Sequence, residues 1–239
     1  MGVFCLPARV FYGSIDKDCN FSLNGAIRLM QEAAVVHSAK SGYSVMDVER
    51  TRVAWMLAQW RVRMTGSACW NDPLKVMTWP RTMERITSDR CFRITTKDGE
   101  EVAVGESRWL LVSVDSGRAI RIPEEVANAY VLNPEGVFDT PLKKLPREVG
   151  ELTYSCRVLK RDIDTNNHVN NLVYLDYARE ALPEEVNTED YKEVEMQYHR
   201  QLLLGDPVHC YYTALPGGHM VQICGDDPHH LHCTVIFKK

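Results

Sequence analysis

Polar and apolar positions along this chain form two similar series. Each series begins with a polar turn, continues with an apolar stripe at helical spacing, and ends with runs of alternating character. The pattern predicts two amphipathic helices, each followed by strands. Ser22 is a suitable N-cap for the first helix, and Asn170 or Asn171 for the second. The predicted stripes are Leu23, Ile27, Met30 and Ala34 in the first helix and Tyr174, Tyr177, Ala178 and Ala181 in the second.

The two series form an internal repeat. Residues 15–34 align with residues 163–182 at an offset of 148 positions, and Asp16 then matches Asp164. An Asp-Pro turn introduces a strand in both halves, at 72–73 and at 206–207, where the offset is 134 because the second connection is shorter. The matching order of elements predicts two homologous halves.

A single amphipathic helix must bury its apolar stripe against the sheet that follows it. Each half is therefore predicted to be a long central helix wrapped by a curved antiparallel sheet, and the chain to be an α+β double hotdog. We predict an N-terminal hotdog over residues 1–132 and a C-terminal hotdog over residues 152–239. Residues 133–151 contain three prolines and little periodicity, so they are the predicted linker.

Composition narrows the classes of function. The formal net charge of −4 argues against a nucleic-acid-binding protein held by bulk positive charge. No apolar run approaches the ~20 residues that span a bilayer, and the N-terminus lacks the apolar core of a secretory signal. Eight scattered cysteines without a CxxC motif indicate reduced thiols. We therefore expect a cytoplasmic protein, a monomer or homodimer, without a nucleic-acid or membrane partner.

The stretch "DIDTNNHVNN" at residues 162–171 has an unusual composition. One interpretation is a solvated Asx-rich turn that caps the second helix. A calcium loop is excluded, although its first, third and fifth positions carry suitable oxygen ligands. The sixth position holds Asn167 where glycine is required, and the twelfth holds Val173 where glutamate is required.

A catalytic role is the other interpretation of this stretch. Asp164, Asn166 and His168 occupy alternate positions just before a helix, where free backbone N–H groups favour developing negative charge. A neutral His can take a proton from water, and an amide can donate to an oxyanion. The first half has Asp18 and Asn20 at the positions of Asn166 and His168. This difference predicts that the second half carries the chemistry.

Other candidate chemistry is weak. In "HHLHC" at residues 229–233, strand alternation separates His230 and His232 from Cys233, so we predict no metal site. No P-loop, dinucleotide fingerprint or G-x-S-x-G motif is present, and no cofactor is predicted.

The motif D-x-N-x-H-V-N-N-x-x-Y at residues 164–174 resembles the active-site loop of acyl-acyl carrier protein (ACP) thioesterases, the plant Fat-type enzymes and their bacterial relatives. Three further segments, residues 52–80, 106–126 and 193–208, are similar to that family in the correct order. The resemblance covers about residues 8–212. It implies a double hotdog that hydrolyses acyl-ACP to a free fatty acid and holo-ACP.

The resemblance also implies roles for individual residues. His168 would activate or orient water, Asn166 would hold the thioester carbonyl, and Asp164 would position the loop or share the role of base. Gln201 stands where the family has an acidic residue, and Leu202 stands where many members have a Cys. A nucleophilic Cys at that position is therefore excluded, and water activated by Asp164 and His168 is expected instead.

Basic residues suggest where an acidic carrier protein would dock. The group that borders the loop comprises Lys143, Lys144, Arg147, Arg157, Lys160 and Arg161. A second group is interpreted as solubilising strand faces, and comprises Arg61, Arg63, Arg81, Arg85, Arg90 and Arg93. The resemblance places the acyl chain between the sheet and Ile27, Met30 and Ala34. Two alternatives stay open: an acyl-CoA thioesterase, and a catalytically degenerate acyl-binding hotdog protein.

Overall fold

The computed structural model describes residues 2–239, without the side chain of residue 189. The chain divides into two compact units, one ending at Leu142 and the other beginning at Lys143. The division falls inside the predicted linker, residues 133–151. Among the described residues, no helix combines the length and the apolar character needed to cross a membrane.

Unit 1 contains one long helix packed against an antiparallel sheet. Its elements are β1 (Phe4–Arg9), α1 (Leu23–Lys40), α2 (Val48–Thr51), β2 (Val53–Met64), β3 (Pro73–Pro80), β4 (Thr87–Thr96), β5 (Glu101–Ser113) and α3 (Glu124–Asn128). The strand order is β1-β3-β4-β5-β2. As predicted, Ser22 caps α1, because its Oγ accepts a hydrogen bond from the Gly25 N–H. The predicted stripe of α1 is buried.

Unit 2 repeats this plan with a shorter helix. Its elements are β6 (Glu151–Arg157), α4 (Val173–Glu180), β7 (Glu193–Tyr198), β8 (Pro207–Leu215), β9 (Gly218–Cys224) and β10 (Leu231–Lys238). The strand order is β7-β10-β9-β8-β6. The helix α4 has 8 residues where α1 has 18, and is shorter than predicted. Pro183 disfavours helical backbone at the residue before it, which accounts for the early end.

Matching hydrogen bonds show the repeat directly. The Val10 N–H donates to the Asp72 carbonyl at 3.0 Å, and the Val158 N–H donates to the Asp206 carbonyl at the same distance. These pairs stand at the offsets of 148 and 134 positions read from the sequence. The repeat therefore extends from the sequence to the contact that joins the first strand of each unit to its Asp-Pro turn.

The two Asp-Pro turns also share an unusual backbone conformation. Asn71 and Gly205, the residues before the two aspartates, have φ values of 73° and 85°. This is the left-handed region, which Gly adopts freely and Asn tolerates better than other residues. The sequence therefore meets one conformational requirement in two ways.

Residues 133–150 contain no helix or strand, yet parts of this segment are packed. In unit 1, the Trp79 Nε1–H donates to the Glu135 carbonyl at 2.9 Å, and the Arg61 guanidinium lies 4.1 Å from the Phe138 ring centroid. In unit 2, Leu145 is buried in a cluster with Met220 and Ile236. The predicted linker therefore belongs to the packing of both units.

The interpretation of one basic group as solubilising strand faces is wrong for Arg90, which is 5% exposed. Elsewhere in the group, Arg81 is largely buried and lies 2.7 Å from the carboxylate of buried Glu106. Strand alternation alone could not show this, because the residues that cover Arg90, such as His37 and Tyr130, come from distant parts of the chain.

The left-handed turn residue in unit 2 gives a test of the repeat. A Cβ at Gly205 would meet nothing within 4 Å, so a substitution there changes backbone strain alone. We expect Gly205→Ala to lower the free energy of unfolding by about 1–2 kcal/mol. Gly205→Asn, which places the same residue as Asn71 of unit 1 at this position, should lower the free energy of unfolding clearly less. Urea unfolding of both variants measures the difference, and equal losses would contradict a shared turn conformation.

Candidate active site

The predicted catalytic residues lie on one tight turn before α4. The Asp164 N–H donates to the His168 carbonyl at 2.8 Å, and the Asn167 N–H donates to the Asp164 carbonyl at 3.1 Å. The Asp164 Oδ1 accepts a hydrogen bond from the Asn166 N–H at 2.8 Å. Asn167 itself is left-handed, with φ of 61°. The turn thus holds Asp164 opposite His168 and presents Asn166 at its tip.

Unit 1 contains the same turn without the histidine. The Asp16 N–H donates to the Asn20 carbonyl at 2.8 Å, and the Cys19 N–H donates to the Asp16 carbonyl at 3.1 Å. The Asp16 Oδ1 accepts from the Asp18 N–H at 2.9 Å. Cys19 has φ of 64°. The turn is therefore a structural element that both units need, and the two units differ in the side chains that it presents.

The side chains of the turn in unit 2 differ in exposure. Asp164 and His168 are half-buried, whereas Asn166 is exposed. The His168 imidazole makes no hydrogen bond with any residue that the structure describes, so both ring nitrogens stay available to a ligand or to water. A histidine with this freedom on a rigid turn has the properties of a general base.

Gln201 lies on the segment beside this turn. The Val169 N–H donates to the Leu202 carbonyl at 2.9 Å, which holds the segment against the residue after His168. The Gln201 side chain is exposed and makes no hydrogen bond with a described residue, His168 included. The structure therefore brings three predicted residues onto one turn and the fourth onto its neighbour.

The position that holds Cys in many members of the family cannot act as a nucleophile here. Leu202 is fully buried, and its N–H donates to the Tyr174 hydroxyl at 3.0 Å. Cys210, the next cysteine along the chain, is also buried, and burial raises the pKa of its thiol. Covalent catalysis through either position is therefore disfavoured.

The start of α4 offers fewer free N–H groups than the sequence suggested. The Asn170 Oδ1 accepts from the Leu172 N–H at 3.0 Å, and the Asn170 carbonyl accepts from the Val173 N–H at 2.9 Å. For these two groups, the prediction that the helix start stabilises an oxyanion is wrong. Asn170 takes up the groups itself in an Asx turn. The prediction of Asn170 or Asn171 as the N-cap is wrong, because the N-cap of α4 is Leu172 and no side chain caps the helix.

Three tyrosines hold the turn, and from the sequence two of them, Tyr174 and Tyr177, were predicted to lie in the apolar stripe of the second helix. The Tyr177 hydroxyl donates to the Asp162 Oδ2 at 2.8 Å, and that carboxylate also accepts the Leu159 N–H at 2.7 Å. The Tyr198 hydroxyl donates to the Asn171 carbonyl at 2.9 Å. Together with Tyr174 on Leu202, these bonds fix both ends of the turn and the adjoining segment.

These tyrosines belong to unit 2 alone. At the offsets of the repeat, unit 1 has Ala26, Leu29 and Met64 where unit 2 has Tyr174, Tyr177 and Tyr198. Burial raises the pKa of Tyr177, and the hydrogen bond with the Asp162 carboxylate raises it further, so the hydroxyl stays a donor. The alignment of the two halves contains the signal that would have identified these positions: polar groups that replace apolar ones beside the turn with the histidine.

The described residues contain no group of three His, Cys, Asp or Glu side chains placed to hold a metal ion. His232, in the "HHLHC" segment, lies with its Nδ1 3.1 Å from the Gln201 carbonyl. Its function in the fold is therefore to hold the segment next to the turn.

Removal of one tyrosyl hydroxyl should loosen the turn. We expect Tyr177→Phe to lower the free energy of unfolding by about 1.5–3 kcal/mol, because the buried Asp162 carboxylate loses a donor. Hydrogen exchange should accelerate at the Leu159 and Asn170 amides, which are bonded to Asp162. Tyr211→Phe is the matched control, because its hydroxyl makes no hydrogen bond with a described residue. Equal exchange in the two variants would contradict this role.

Comparison with known proteins adds the family to this geometry. Residues 4–130 match the model of the acyl-ACP thioesterase N-terminal domain, and residues 144–232 match that of the C-terminal domain. The chain is 27% identical over 207 residues to oleoyl-acyl carrier protein thioesterase 2, chloroplastic, of Arabidopsis thaliana. The aligned region covers 78% of this chain and 56% of the relative.

A second relative is the palmitoyl-acyl carrier protein thioesterase, chloroplastic, of Cuphea hookeriana. It is 27% identical over 202 residues, which are 78% of this chain and 49% of the relative. The chain therefore spans about half the length of the curated relatives that it matches.

Two solved structures share the fold. An acyl-ACP thioesterase from Bacteroides thetaiotaomicron has a TM-score of 0.85 at 16% identity, covering 99% of this chain and 97% of that one. The 12:0-ACP thioesterase from Umbellularia californica has a TM-score of 0.83 at 20% identity, covering 99% and 96%. These likenesses confirm the α+β double hotdog fold.

Proposed function

The chain belongs to the acyl-ACP thioesterase family, and on that premise we propose that it hydrolyses the thioester of a fatty acyl-ACP. One observation carries the proposal from family to chemistry. Two turns of the same hydrogen-bonded geometry occur in the chain, and only the turn of unit 2 presents a histidine with a free imidazole. A turn required for folding alone would not need that histidine.

The reaction in this proposal is a direct attack of water on the thioester carbonyl. His168 takes a proton from the water as its oxygen bonds to the carbonyl carbon, and the exposed Asn166 amide donates a hydrogen bond to the oxygen that becomes negative. The carbon–sulfur bond then breaks. The proton held by His168 passes to the departing thiolate, which leaves a free fatty acid and the carrier thiol.

Asp164 has a positioning role in this scheme. Its counterpart Asp16 accepts the same backbone hydrogen bond in the turn without a histidine, so the carboxylate serves the turn in both units. Gln201 is neutral and cannot offset the charge of a protonated His168 as a carboxylate would. Its amide can orient the attacking water from the adjoining segment.

The proposed partner is an acyl carrier protein, which we take to be acidic. Next to the turn, Leu159, Leu203 and Leu204 are 48%, 49% and 55% exposed. Arg157, Lys160 and Arg161 lie beside Leu159 in the chain. An apolar patch bordered by cations fits a partner that presents apolar side chains among carboxylates.

The acyl chain in this proposal enters unit 1 between α1 and its sheet. Ile27, Met30 and Ala34 pack closely against the sheet, so the length of chain accepted depends on how far these side chains can separate from it. We also propose a cytoplasmic location and a monomeric or homodimeric state. The named plant relatives are chloroplastic proteins.

The proposed chemistry is tested by release of free fatty acid from a panel of acyl-ACPs and the matching acyl-CoAs. We expect ACP-selective turnover that falls by about 10²–10⁴-fold in His168→Ala, because the general base is removed. Asp164→Asn keeps a side-chain oxygen that accepts the Asn166 N–H, so its turnover should fall by at most about tenfold. Equal losses in the two variants would show instead that Asp164 shares the role of base.

The same panel separates the alternatives. Turnover that prefers acyl-CoA would contradict the carrier-protein substrate and favour a CoA thioesterase. If the wild-type protein is folded, as judged by its circular dichroism spectrum, but releases fatty acid from neither carrier, the hydrolase proposal is overturned and an acyl-binding protein remains.

The proposed docking patch is tested by charge reversal. We expect Lys160→Glu with Arg161→Glu to raise KM for acyl-ACP by about tenfold with little change in kcat, because these cations attract the carrier without touching the thioester. The effect should shrink as salt increases. The matched control is Arg118→Glu with Arg121→Glu, two exposed cations of unit 1 whose reversal changes the net charge by the same amount. An equal rise in KM for both pairs would contradict a dock on unit 2.

A further inference from the structure

One buried charge in unit 1 has no counter-charge within 4.0 Å among the residues that the structure describes. Six Asp, Glu, Arg or Lys side chains are buried among the described residues, and five of them have an opposite charge within 4.0 Å. Arg90 is the exception. A buried ion without a partner is costly, so buried charges in proteins are normally paired. The five paired residues are Asp89, Glu106, Asp162, Glu193 and Glu195.

The guanidinium of Arg90 is held along one edge only. Its Nη1 lies 2.9 Å from the His37 Nδ1 and donates to the Thr78 Oγ1 at 3.2 Å. Burial, with the nearby Arg90 and Lys40 charges, lowers the pKa of His37 to about 4, so this imidazole is a neutral acceptor. The Nε and Nη2 groups of Arg90 make no hydrogen bond with a described residue.

The neighbouring Arg108 shows what a complete arginine contact looks like in this sheet. Its Nε and Nη2 donate to the two carboxylate oxygens of Asp89 at 2.7 and 2.8 Å. This bidentate edge is the one that arginines commonly offer to carboxylates. In Arg90, the same edge has no protein oxyanion to bind.

The surroundings of Arg90 are aromatic or cationic. The Tyr130 ring centroid lies 5.8 Å from the Arg90 Cζ, and the Phe4 ring stacks on His37 with centroids 5.2 Å apart. The Lys40 ammonium lies 4.7 Å from the centroid of Phe4. The charges that act on the His37 imidazole are those of Arg90 and Lys40, both cationic. Burial lowers the pKa of Arg90 to about 10, so it stays charged at neutral pH.

Buried apolar residues flank Arg90 and its partner His37 along the elements that carry them. On α1, Ala33 and Ala34 precede His37 by one turn and are buried. On β4, Phe92 lies two residues from Arg90, hence on the same face of the strand, and it is fully buried. A ligand that fits these surroundings would combine an oxyanion with an aliphatic chain.

We propose that Arg90, with His37 and Thr78, forms a buried site for the carboxylate of an aliphatic chain. The carboxylate replaces the missing protein counter-charge on the Nε–Nη2 edge, and its alkyl part lies among the apolar residues of α1 and β4. Two sources share this chemistry. One is a free fatty acid, and the other is the far end of an acyl chain that carries a second carboxyl group.

The first measurement is calorimetric binding of dodecanoate and of dodecanol, its neutral counterpart, to the intact protein. We expect Arg90→Met to weaken dodecanoate binding roughly 10- to 100-fold and dodecanol binding far less, because only the carboxylate forms a charged, bidentate pair with the guanidinium. If Arg90→Met weakens the binding of both ligands equally, or weakens neither, the proposed site is overturned.

Thermal unfolding distinguishes a binding role from a structural one. Without ligand, Arg90→Met should unfold at the same or a higher temperature than the wild type, because it removes an unpaired buried charge. A large drop in both Arg90→Met and Arg90→Gln would indicate a structural arginine and would contradict the proposal. Arg90→Gln retains a donor for His37 or Thr78 without the charge, and repeats both measurements should Arg90→Met fail to fold.

The source of the carboxylate is decided by a comparison of dodecanoyl-ACP with the same chain bearing a carboxyl group at its far end. A higher kcat/KM for the carboxylated chain, lost in Arg90→Met, assigns the site to the substrate. Arg90-dependent binding of dodecanoate without that preference assigns it to a free fatty acid. The substrate comparison rests on the proposed thioesterase function, whereas the binding and unfolding measurements do not, so the two can fail separately.

Discussion

The Asp-centred turn before each helix is the constraint on which the rest of the structure depends. In both units, one aspartate binds backbone N–H groups across the turn, and a left-handed residue, Cys19 or Asn167, closes it. The next residue but one, Phe21 or Val169, then donates its N–H to the segment that precedes the Asp-Pro turn. One local motif therefore sets where the helix begins and which distant segment lies beside it.

The same turn separates the framework from the chemistry. Because backbone hydrogen bonds and one carboxylate maintain its shape, the residue opposite the aspartate can change without loss of the turn. Unit 1 has Asn20 there and unit 2 has His168. Unit 2 adds Tyr174, Tyr177 and Tyr198, whose hydroxyls replace apolar contacts with directed hydrogen bonds around the histidine. Such support limits the motion of a catalytic group more tightly than apolar packing does.

Unit 1 differs from unit 2 in a complementary way. Its helix is long, which extends the buried contact between α1 and the sheet, and at the far part of this contact lies Arg90 without a counter-charge. Unit 2 keeps its buried carboxylates paired, as with Glu193 and Glu195 on Lys238. Duplication of one plan has therefore left different polar groups in the two units: a histidine on a turn in one, and a buried cation under a helix in the other.

The sequence by itself determined the features that depend on near neighbours: the repeat, the Ser22 cap, the stripe of α1, and the placing of Asp164, Asn166 and His168 on one turn. These follow from spacings of a few residues and can be read from the chain. Tertiary structure alone decided that Arg90 is buried, that residues 133–150 are packed, and that Tyr177 meets Asp162. Such contacts join residues far apart in the chain, and whether a polar group is buried or paired depends on which distant segment covers it.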